Sequence, residues 1–280
     1  MNKIMSYAKI NLGLQIDKKL KNGYHKIKTV MTLIELHDEM YFENFDSIFV
    51  SMDKNICHMT DNLCYKVAIY LQKKYNIKNG IKIHIKKNIP DGAGLGGGSS
   101  NAAETLKFLN KAWNLNLSQK KLKKIGSKFG CDIPFFIEGG VCYAKNMGEK
   151  VKKIKNKLSN EDIVLIIPEK KIKTKDVYNC CIVKKEEKIR ELLKNINGGE
   201  YKKSVFNQLE DAANIVSDNL ISQIKNEVCN QVAQAFMTGS GSAVVCLFDN
   251  NKEFLNNKNI IQSKFKDCTV IESKLKMYSY

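Results

Sequence analysis

The stretch IPDGAGLGGGSSNAAETL, residues 89–106, contains five glycines within seven positions, and two serines follow them. Glycine loses more backbone freedom on folding than any other residue, so this density indicates a backbone that another group approaches closely. The start of a helix offers free N–H groups and the positive end of the helix dipole, which together bind anions. We therefore interpret the stretch as a phosphate-binding loop. A tight structural turn is the alternative.

The segments on either side of the loop have different periodicities. Before it, apolar and polar residues alternate in IKIHIKK, residues 81–87, which is typical of a half-buried strand. After it, apolar residues recur at helical spacing in residues 101–113, which predicts a helix. We expect Asn101 to cap this helix and Glu104 to complete a capping box. The loop would then connect a strand to a helix.

The familiar nucleotide-binding loops fit this stretch poorly. Gly92, Gly94 and Gly97 satisfy the GxGxxG pattern, but the chain has another predicted helix where a dinucleotide fold needs an acidic residue, about 20 residues later. No Lys-Ser or Lys-Thr pair follows the last glycine, as a P-loop requires. The HRD and DFG motifs of protein kinases do not occur in the chain. The loop therefore belongs to another class of phosphate site.

The composition argues against a nucleic-acid or membrane protein. The net charge is +17, but of 46 basic residues only Arg190 is arginine, the residue that base readout prefers. A lysine-rich nucleic-acid-binding protein remains the alternative from a different functional class. No apolar run is long enough to span a membrane, and the N-terminus lacks a signal peptide. We expect a cytoplasmic protein whose nine cysteines are reduced and hold no metal.

Two polar positions outside the loop are candidates for function. Residues 7–16, YAKINLGLQI, alternate as in a strand that places Lys9 and Asn11 on its polar face. A solvated strand face is the alternative for Lys9. Asp132 follows a predicted basic helix capped by Ser118, and it precedes an Ile-Pro pair, where aspartate commonly caps a helix. From the residues alone, capping and catalysis explain Asp132 equally well.

The remaining chain predicts an α+β protein with two lobes around a cleft. Short strands are mixed with helices, and there is no internal repeat. Asn22–Gly23 predicts a hairpin, and QAFMTGSGSAVVCLF predicts two strands joined by a glycine turn. A lysine-rich segment that begins at Val151 is the best candidate for a boundary. We expect one lobe in residues 1–150 and the other in residues 151–280.

Three separated segments resemble the GHMP small-molecule kinases: the glycine loop, AKINLGL near the N-terminus, and MTGSGSAVVCLF near the C-terminus. The three glycines before Ser-Ser, with NGYHKIKTVM and GCDIPFFIEGG, are similar to the branch that phosphorylates a cytidine-diphosphate-linked methylerythritol for non-mevalonate isoprenoid synthesis. The resemblance implies an active site between two lobes, with ATP as phosphoryl donor and Mg²⁺ as its companion. A homoserine or mevalonate kinase is the alternative within the superfamily.

The resemblance also implies roles for individual residues. Asp132 would accept the proton of the substrate hydroxyl or orient that hydroxyl, while Lys9 neutralises the γ-phosphate. Asn11 would reach the same site. The loop residues expected to bind ATP are Pro90, Gly92, Gly94, Leu95, Gly96, Gly97, Gly98, Ser99 and Ser100. No protein ligand of Mg²⁺ is assigned, although Ser100 is a candidate.

The substrate site implied by the resemblance is aromatic. Tyr24 and His25 match the residues that contact cytosine, the tyrosine by stacking and the histidine by hydrogen bonds to the base edge. Tyr178 matches a second stacking residue, with core packing as the alternative. The Tyr24–His25 pair argues against a homoserine or mevalonate kinase.

Overall fold

The structure, a computed structural model, describes residues 1–21 and 23–277. Asn22, half of the predicted hairpin pair, lies outside the described residues. The strands within them are β1 Asn2–Lys19, β2 His25–Phe45, β3 Ile48–Met52, β4 Gly80–Lys86, β5 Cys142–Asn146, β6 Lys150–Lys153, β7 Asp162–Pro168, β8 Phe206–Asn207, β9 Gln234–Met237, β10 Val244–Leu247 and β11 Cys268–Lys274. The helices within them are α1 Leu63–Lys74, α2 Gly97–Ala112, α3 Gln119–Gly126, α4 Ile133–Glu138, α5 Thr174–Cys180, α6 Lys188–Gly198, α7 Glu210–Ser217, α8 Leu220–Val228 and α9 Asn251–Lys264.

The strands form two sheets. The first runs in the order β3-β4-β2-β1-β8, and β5 joins the first half of β2 and carries β6 at its outer edge. The second runs β11-β7-β10-β9 and is antiparallel throughout. Most neighbours in the first sheet are also antiparallel, since only the β1–β8 and β3–β4 pairs are parallel. Helices mixed with largely antiparallel sheets confirm the predicted α+β class.

Apolar packing joins the two sheets and covers their outer faces. Helices α1 to α4 bury one face of the first sheet around Phe42 and Phe135. A second cluster lies between the sheets, where Ile10 of β1 packs with Leu165 and Val245. Helices α5, α7, α8 and α9 cover the far side of the second sheet. Each aliphatic side chain buried in this way stabilises the fold by about 1.5–3 kcal/mol.

Strand β1 is buried on both faces, which the sequence alternation did not reveal. Lys9 and Asn11 lie on the predicted polar face, yet each is only 3% exposed. The reason is that two loops pair with the edge of β1 that faces away from β2. The Lys9 N–H donates to the Leu95 carbonyl oxygen at 3.0 Å, and the Asn11 N–H donates to Thr238 Oγ1 at 2.8 Å. The solvated-face alternative for Lys9 is therefore wrong.

The helix after the glycine loop begins earlier than predicted. Its first residue is Gly97, and Gly96 occupies the cap position with a left-handed φ of 74°. The predicted cap at Asn101 is wrong, because the glycine run itself turns into the helix and carries Asn101 into its second turn. The Asn101 side chain is buried and hydrogen-bonds to Ser6 and Asp38. The helix start therefore lies inside the glycine run.

Other local predictions are confirmed. Ser118 caps α3 by accepting a hydrogen bond from the Lys121 N–H, and a glycine turn joins β9 to β10. The division of the chain near residue 150 stays a prediction; β6 crosses that point, and β8 from the second half pairs with β1. Within the described residues, no helix has both the length and the apolar character needed to cross a membrane.

Candidate active site

A cavity of about 910 Å³ brings together most of the predicted site residues. Its lining comes from both halves of the chain and falls into three groups: the glycine loop, the polar residues of β1 with Asp132, and an aromatic group from the β1–β2 hairpin and α5. The loop members include Pro90 and the run from Gly92 to Ser99. The predicted ATP, catalytic and substrate residues thus share one cavity, with Ser100 as the exception.

The glycine loop owes part of its composition to contact with the second glycine turn. Gly92, Gly94 and Gly96 have φ values of 74°, 80° and 74°, a region that side chains other than glycine rarely adopt. A Cβ atom at Gly94 would lie 2.4 Å from the Thr238 carbonyl oxygen. The Ala243 N–H also donates to the Ala93 carbonyl oxygen at 3.2 Å. Gly94 is therefore required by the protein itself and not by a ligand alone.

The start of α2 remains available to an anion. No side chain caps this helix, and the first N–H groups of any helix lack intrahelical acceptors. Gly98 is exposed and lines the cavity, and a Cβ there would meet nothing nearer than Leu63 Cδ1 at 4.0 Å. Positive partial charge at this helix end attracts phosphate. The arrangement fits the predicted phosphate site.

Lys9 and Asp132 form an ion pair that is buried on one side only. Lys9 Nζ lies 3.8 Å from Asp132 Oδ2, and the lysine side chain is 4% exposed whereas the aspartate side chain is 37% exposed. The Asp132 carbonyl oxygen accepts hydrogen bonds from the N–H groups of Phe135 and Phe136 at the start of α4. Its carboxylate makes no capping hydrogen bond. The carboxylate is therefore free to contact a ligand in the cavity.

Burial changes the proton affinities of the groups around this pair. Loss of solvation lowers the pKa of Lys9, and attraction to Asp132 opposes that change. Burial raises the pKa of the Tyr178 hydroxyl, and the nearby Asp132 carboxylate raises it further. Burial also lowers the pKa of His25, with repulsion from Lys19 acting in the same direction. His25 is therefore a neutral ring at neutral pH, with one nitrogen that donates and one that accepts.

The aromatic group presents one exposed ring and one unsatisfied buried atom. Tyr24 is 59% exposed at the tip of the β1–β2 hairpin. The His25 ring lies 5.2 Å from the Tyr178 ring, so these two side chains contact each other. His25 is 5% exposed, and within the described residues its buried Nδ1 atom finds no hydrogen-bond partner. A buried polar atom without a partner is costly unless a ligand satisfies it.

Two serines of the loop have different surroundings. Ser99 lines the cavity. Ser100 is 1% exposed, and its hydroxyl accepts a hydrogen bond from Ser6 Oγ at 2.8 Å, away from the cavity lining. Asp91, also in the loop, is exposed and lies 3.3 Å from Lys171 Nζ. The Ser100 hydroxyl is thus poorly placed to hold a metal ion.

Sequence reasoning missed a buried ion pair beneath the loop. Lys87 Nζ contacts the fully buried Asp38 carboxylate and donates to Asn101 Oδ1 at 3.0 Å. Asp38 Oδ1 accepts hydrogen bonds from the N–H groups of Asn88 and Ile89 at 2.7 and 2.8 Å. These bonds fix the backbone that leads into the loop. The sequence contained a signal for this burial, because Lys87 falls on the same face of the predicted strand as the apolar residues of β4.

The described residues contain no group of three or more histidine, cysteine, aspartate or glutamate side chains that could hold a metal ion. Asp91, Ser99 and Asp132 are oxygen-bearing side chains that line the cavity, and Asp91 also pairs with Lys171. Mg²⁺ is commonly bound by one or two carboxylates together with substrate phosphates and water. The side chains present fit that mode of binding.

Comparisons with known proteins agree on one family. Residues 62–140 match the family described as GHMP kinases N terminal domain. A 4-diphosphocytidyl-2-C-methyl-D-erythritol kinase of Clostridium beijerinckii is 35% identical over 277 residues, which cover 96% of this chain and 98% of the relative. The crystal structure of a 4-(cytidine 5'-diphospho)-2C-methyl-D-erythritol kinase is similar with a TM-score of 0.83 at 24% identity, over 99% of this chain and 100% of the other.

The fold is also shared with kinases of other substrates. The crystal structure of a homoserine kinase from Cytophaga hutchinsonii has a TM-score of 0.74 at 14% identity, over 99% of this chain and 95% of the other. Similarity of fold therefore does not discriminate among substrates. The sequence similarity to the Clostridium beijerinckii relative extends over nearly the whole of both chains, and it favours one branch of the family over the others.

Proposed function

The chain belongs to the family of 4-diphosphocytidyl-2-C-methyl-D-erythritol kinases, a branch of the GHMP kinases, and we propose that its cavity transfers the γ-phosphoryl group of ATP to the 2-hydroxyl of 4-diphosphocytidyl-2-C-methyl-D-erythritol. It is an ATP-dependent kinase of isoprenoid precursor synthesis, and the homoserine, mevalonate and nucleic-acid-binding alternatives are not favoured. The observation that supports the residue roles below is the half-buried Lys9–Asp132 pair in one cavity with the uncapped start of α2.

The glycine loop binds the phosphates of ATP in this proposal. The N–H groups of the first turn of α2 point toward the anion, and Gly98 leaves room for it because no protein atom fills the position of its Cβ. Lys9 lies beside the same turn, since a Cβ at Gly96 would lie 3.3 Å from Lys9 Cε. The γ-phosphate would therefore lie between the helix start and the ammonium group.

Asp132 and Lys9 act on the reacting atoms. The substrate hydroxyl donates a hydrogen bond to the exposed side of the Asp132 carboxylate, and its oxygen attacks the γ-phosphorus as the bond to the β-γ bridging oxygen breaks. The proton passes to Asp132, and ADP leaves. Lys9 remains charged and stabilises the negative charge on the transferring group, a contribution that phosphoryl transfer depends on heavily.

Asn11 contributes one hydrogen-bond donor to the substrate. Its Oδ1 atom accepts from Lys9 Nζ at 2.5 Å and from Thr238 Oγ1 at 3.4 Å, and its Nδ2 atom donates to Thr29 Oγ1 at 2.8 Å. An amide nitrogen has two hydrogens, so one N–H remains for a ligand in the cavity. We assign that N–H to an oxygen of the methylerythritol or its new phosphate.

The aromatic group recognises the cytidine. The exposed Tyr24 ring stacks on the base, and the His25 ring, which lines the cavity, forms a hydrogen bond with the base edge. Tyr178 holds the His25 ring in place and closes the opposite side of the site. Stacking together with edge contacts separates a cytidine-linked substrate from a small hydroxy acid or amino acid, which lacks the base.

Mg²⁺ would accompany ATP, held by phosphate oxygens and water with the side chains of Ser99 and Asp132 as the protein contributions. When bound, such an ion neutralises charge on the β- and γ-phosphates. Ser100 is not included, because its hydroxyl faces Ser6. A small-molecule partner and a cytoplasmic location are part of the same proposal, and nine free cysteines agree with a reducing compartment.

A substrate panel with labelled ATP tests the function. The purified protein is assayed with 4-diphosphocytidyl-2-C-methyl-D-erythritol, homoserine and mevalonate, and with the cytidine-free methylerythritol phosphate as a control for the base. We expect turnover of the first compound alone. Comparable kcat/KM for homoserine or mevalonate would overturn the substrate assignment, and equal turnover without the cytidine would overturn the role of the aromatic group.

A further inference from the structure

The amide of Asn11 is oriented by a threonine on the neighbouring strand. Thr29 of β2 is buried, and its Oγ1 atom lies 2.8 Å from Asn11 Nδ2 and 2.7 Å from the Gly13 carbonyl oxygen. The carbonyl can only accept, so the hydroxyl hydrogen of Thr29 is directed to Gly13. The Thr29 oxygen must therefore accept from Asn11, which fixes the amide nitrogen on the side of Thr29.

This orientation determines what Lys9 encounters. With the amide nitrogen held by Thr29, Asn11 presents its Oδ1 atom to Lys9 Nζ at 2.5 Å. A rotated amide would present an NH₂ group to the ammonium, and neither group could then accept a hydrogen bond from the other. Lys9 lines the cavity but is only 3% exposed, so water replaces a lost acceptor incompletely. Its remaining charged partner, Asp132, lies at 3.8 Å.

We propose that Thr29 is a positioning residue of the phosphoryl transfer, which acts through Asn11 to hold the Lys9 ammonium at the γ-phosphate. This inference rests on the proposed function of Lys9. Thr29 lies in the wall of the cavity, but it is 1% exposed and its hydroxyl is hydrogen-bonded to Gly13 and Asn11. It selects the one amide orientation in which Asn11 accepts from Lys9 and still has an N–H for the substrate. Thr238 supports the same orientation. Its Oγ1 atom accepts a hydrogen bond from the backbone N–H of Asn11, and its hydroxyl hydrogen is then directed to Asn11 Oδ1.

The test compares Thr29→Val with Thr29→Ser. Valine keeps the shape of threonine without the hydroxyl, so we expect kcat to fall roughly tenfold, the loss typical of one hydrogen bond to a charged group. KM values for ATP and for the cytidylated substrate should change less than about twofold, because the Thr29 hydroxyl is buried and its partners are Gly13 and Asn11. Thr29→Ser should retain most of the wild-type kcat, because it keeps the hydroxyl.

Thr32→Val is the matched control. Thr32 lies on the same strand and is fully buried, but in the described part of the chain its Oγ1 atom has no hydrogen-bond partner. We expect wild-type kcat and wild-type KM values for this variant. Thermal melting of all the variants confirms that each is folded at the assay temperature.

Three outcomes would overturn the inference: wild-type kcat in Thr29→Val, equal losses in Thr29→Val and Thr29→Ser, or an equal loss in Thr32→Val. The first removes any role of the hydroxyl, and the other two indicate packing alone. If the wild-type protein fails to phosphorylate the cytidylated substrate, the proposed function has failed instead, and this is measured before any variant is compared.

Discussion

Two buried lysines lie against consecutive glycines of the same loop, yet their surroundings differ. A Cβ at Gly96 would lie 3.3 Å from Lys9 Cε, and a Cβ at Gly97 would lie 3.3 Å from Lys87 Nζ. Lys87 contacts a carboxylate, Asp38, that is fully buried and accepts hydrogen bonds from three other groups as well as from the lysine itself. Lys9 faces Asp132, whose carboxylate is partly exposed.

The difference separates a structural ion pair from one that we propose to be reactive. Every oxygen of Asp38 has protein partners, so its pair with Lys87 holds the backbone that enters the loop and has no capacity left for a ligand. The Lys9–Asp132 pair is longer, and the carboxylate keeps an open side. A catalytic carboxylate needs such an open side, because a substrate hydroxyl must reach it. The comparison predicts that variants at the two pairs fail in different ways.

The largest effect is expected at the reactive pair. Asp132→Asn keeps the size of the side chain but cannot take the proton, so we predict that kcat falls by about 10²–10⁴-fold. The melting temperature should stay close to wild type, because the carboxylate caps no helix. ATP affinity should change little, because phosphate oxygens and water supply most of the ligands of Mg²⁺. Steady-state kinetics, nucleotide titration and thermal melting measure the three quantities.

A double variant adds a control to this prediction. Lys9→Met should also lower kcat, and Lys9→Met combined with Asp132→Asn should be little worse than the worse single variant, since residues that act as a unit are not additive. Near-normal kcat in Asp132→Asn, under conditions where chemistry limits the rate, would leave Asp132 without a catalytic role and would break the comparison.

The structural pair should fail through stability. Asp38→Asn leaves the Lys87 ammonium buried without its counter-charge, and we predict that the free energy of unfolding falls by about 3–5 kcal/mol. Denaturation by urea measures this loss, and Asp38→Asn with Lys87→Met should recover part of it because the unpaired charge is gone. A fall in kcat with unchanged unfolding would show that the two pairs are not distinct in kind.

Tyr24 provides a third case for the comparison, in which we expect substrate binding to be lost while stability and the chemical step are kept. Tyr24 is exposed, so Tyr24→Ala should affect neither stability nor the chemical step strongly. We predict a higher KM for the cytidylated substrate, equivalent to about 1–3 kcal/mol of lost stacking, with little change in the KM for ATP. Equal changes in both KM values would indicate a general disturbance of the cavity and would remove the stacking role.

The smallest effect is expected from alanine substitutions at Gly97 and Gly98, at the start of α2. Gly98→Ala adds a methyl group that meets no protein atom closer than 4.0 Å, so we predict weaker ATP binding with a helix stabilised by up to about 1 kcal/mol. Gly97→Ala is the matched variant, because its methyl group would lie 3.1 Å from Ile89 Cγ2 and should lower the melting temperature. Unchanged ATP affinity in Gly98→Ala would place the phosphates elsewhere.

Periodicity predicted much of the site and could have revealed more. The strand before the loop, the α+β class and the glycine turn of the C-terminal half followed from local patterns that the structure confirms. Asp38 shares the strand phase of the buried Met40 and Phe42, and Lys87 shares that of the buried isoleucines in β4. When opposite charges occupy apolar positions of two neighbouring strands, a buried ion pair is indicated. This signal was not used in the sequence analysis.

Other features had no local signal. The Asn11 N–H and Thr238 are 227 positions apart, and nothing in either segment predicts their hydrogen bond. The same applies to Gly94, whose need for glycine comes from the Thr238 carbonyl oxygen. Lys9 was placed on the correct face of β1, but its burial depends on loops that only the folded chain brings together. Pairings of this kind require the three-dimensional fold.

The loops that cover the edge of β1 also bear on aggregation. Residues 7–16 carry a single charge, contain no proline and favour the extended state, which is the composition of segments that stack into intermolecular sheets. Along Lys9 and Asn11 the free edge of this segment is covered by the carbonyl of Leu95 and the hydroxyl of Thr238. An open edge of this kind would recruit strands from other molecules. The two glycine loops thereby also shield this edge from pairing with strands of other molecules.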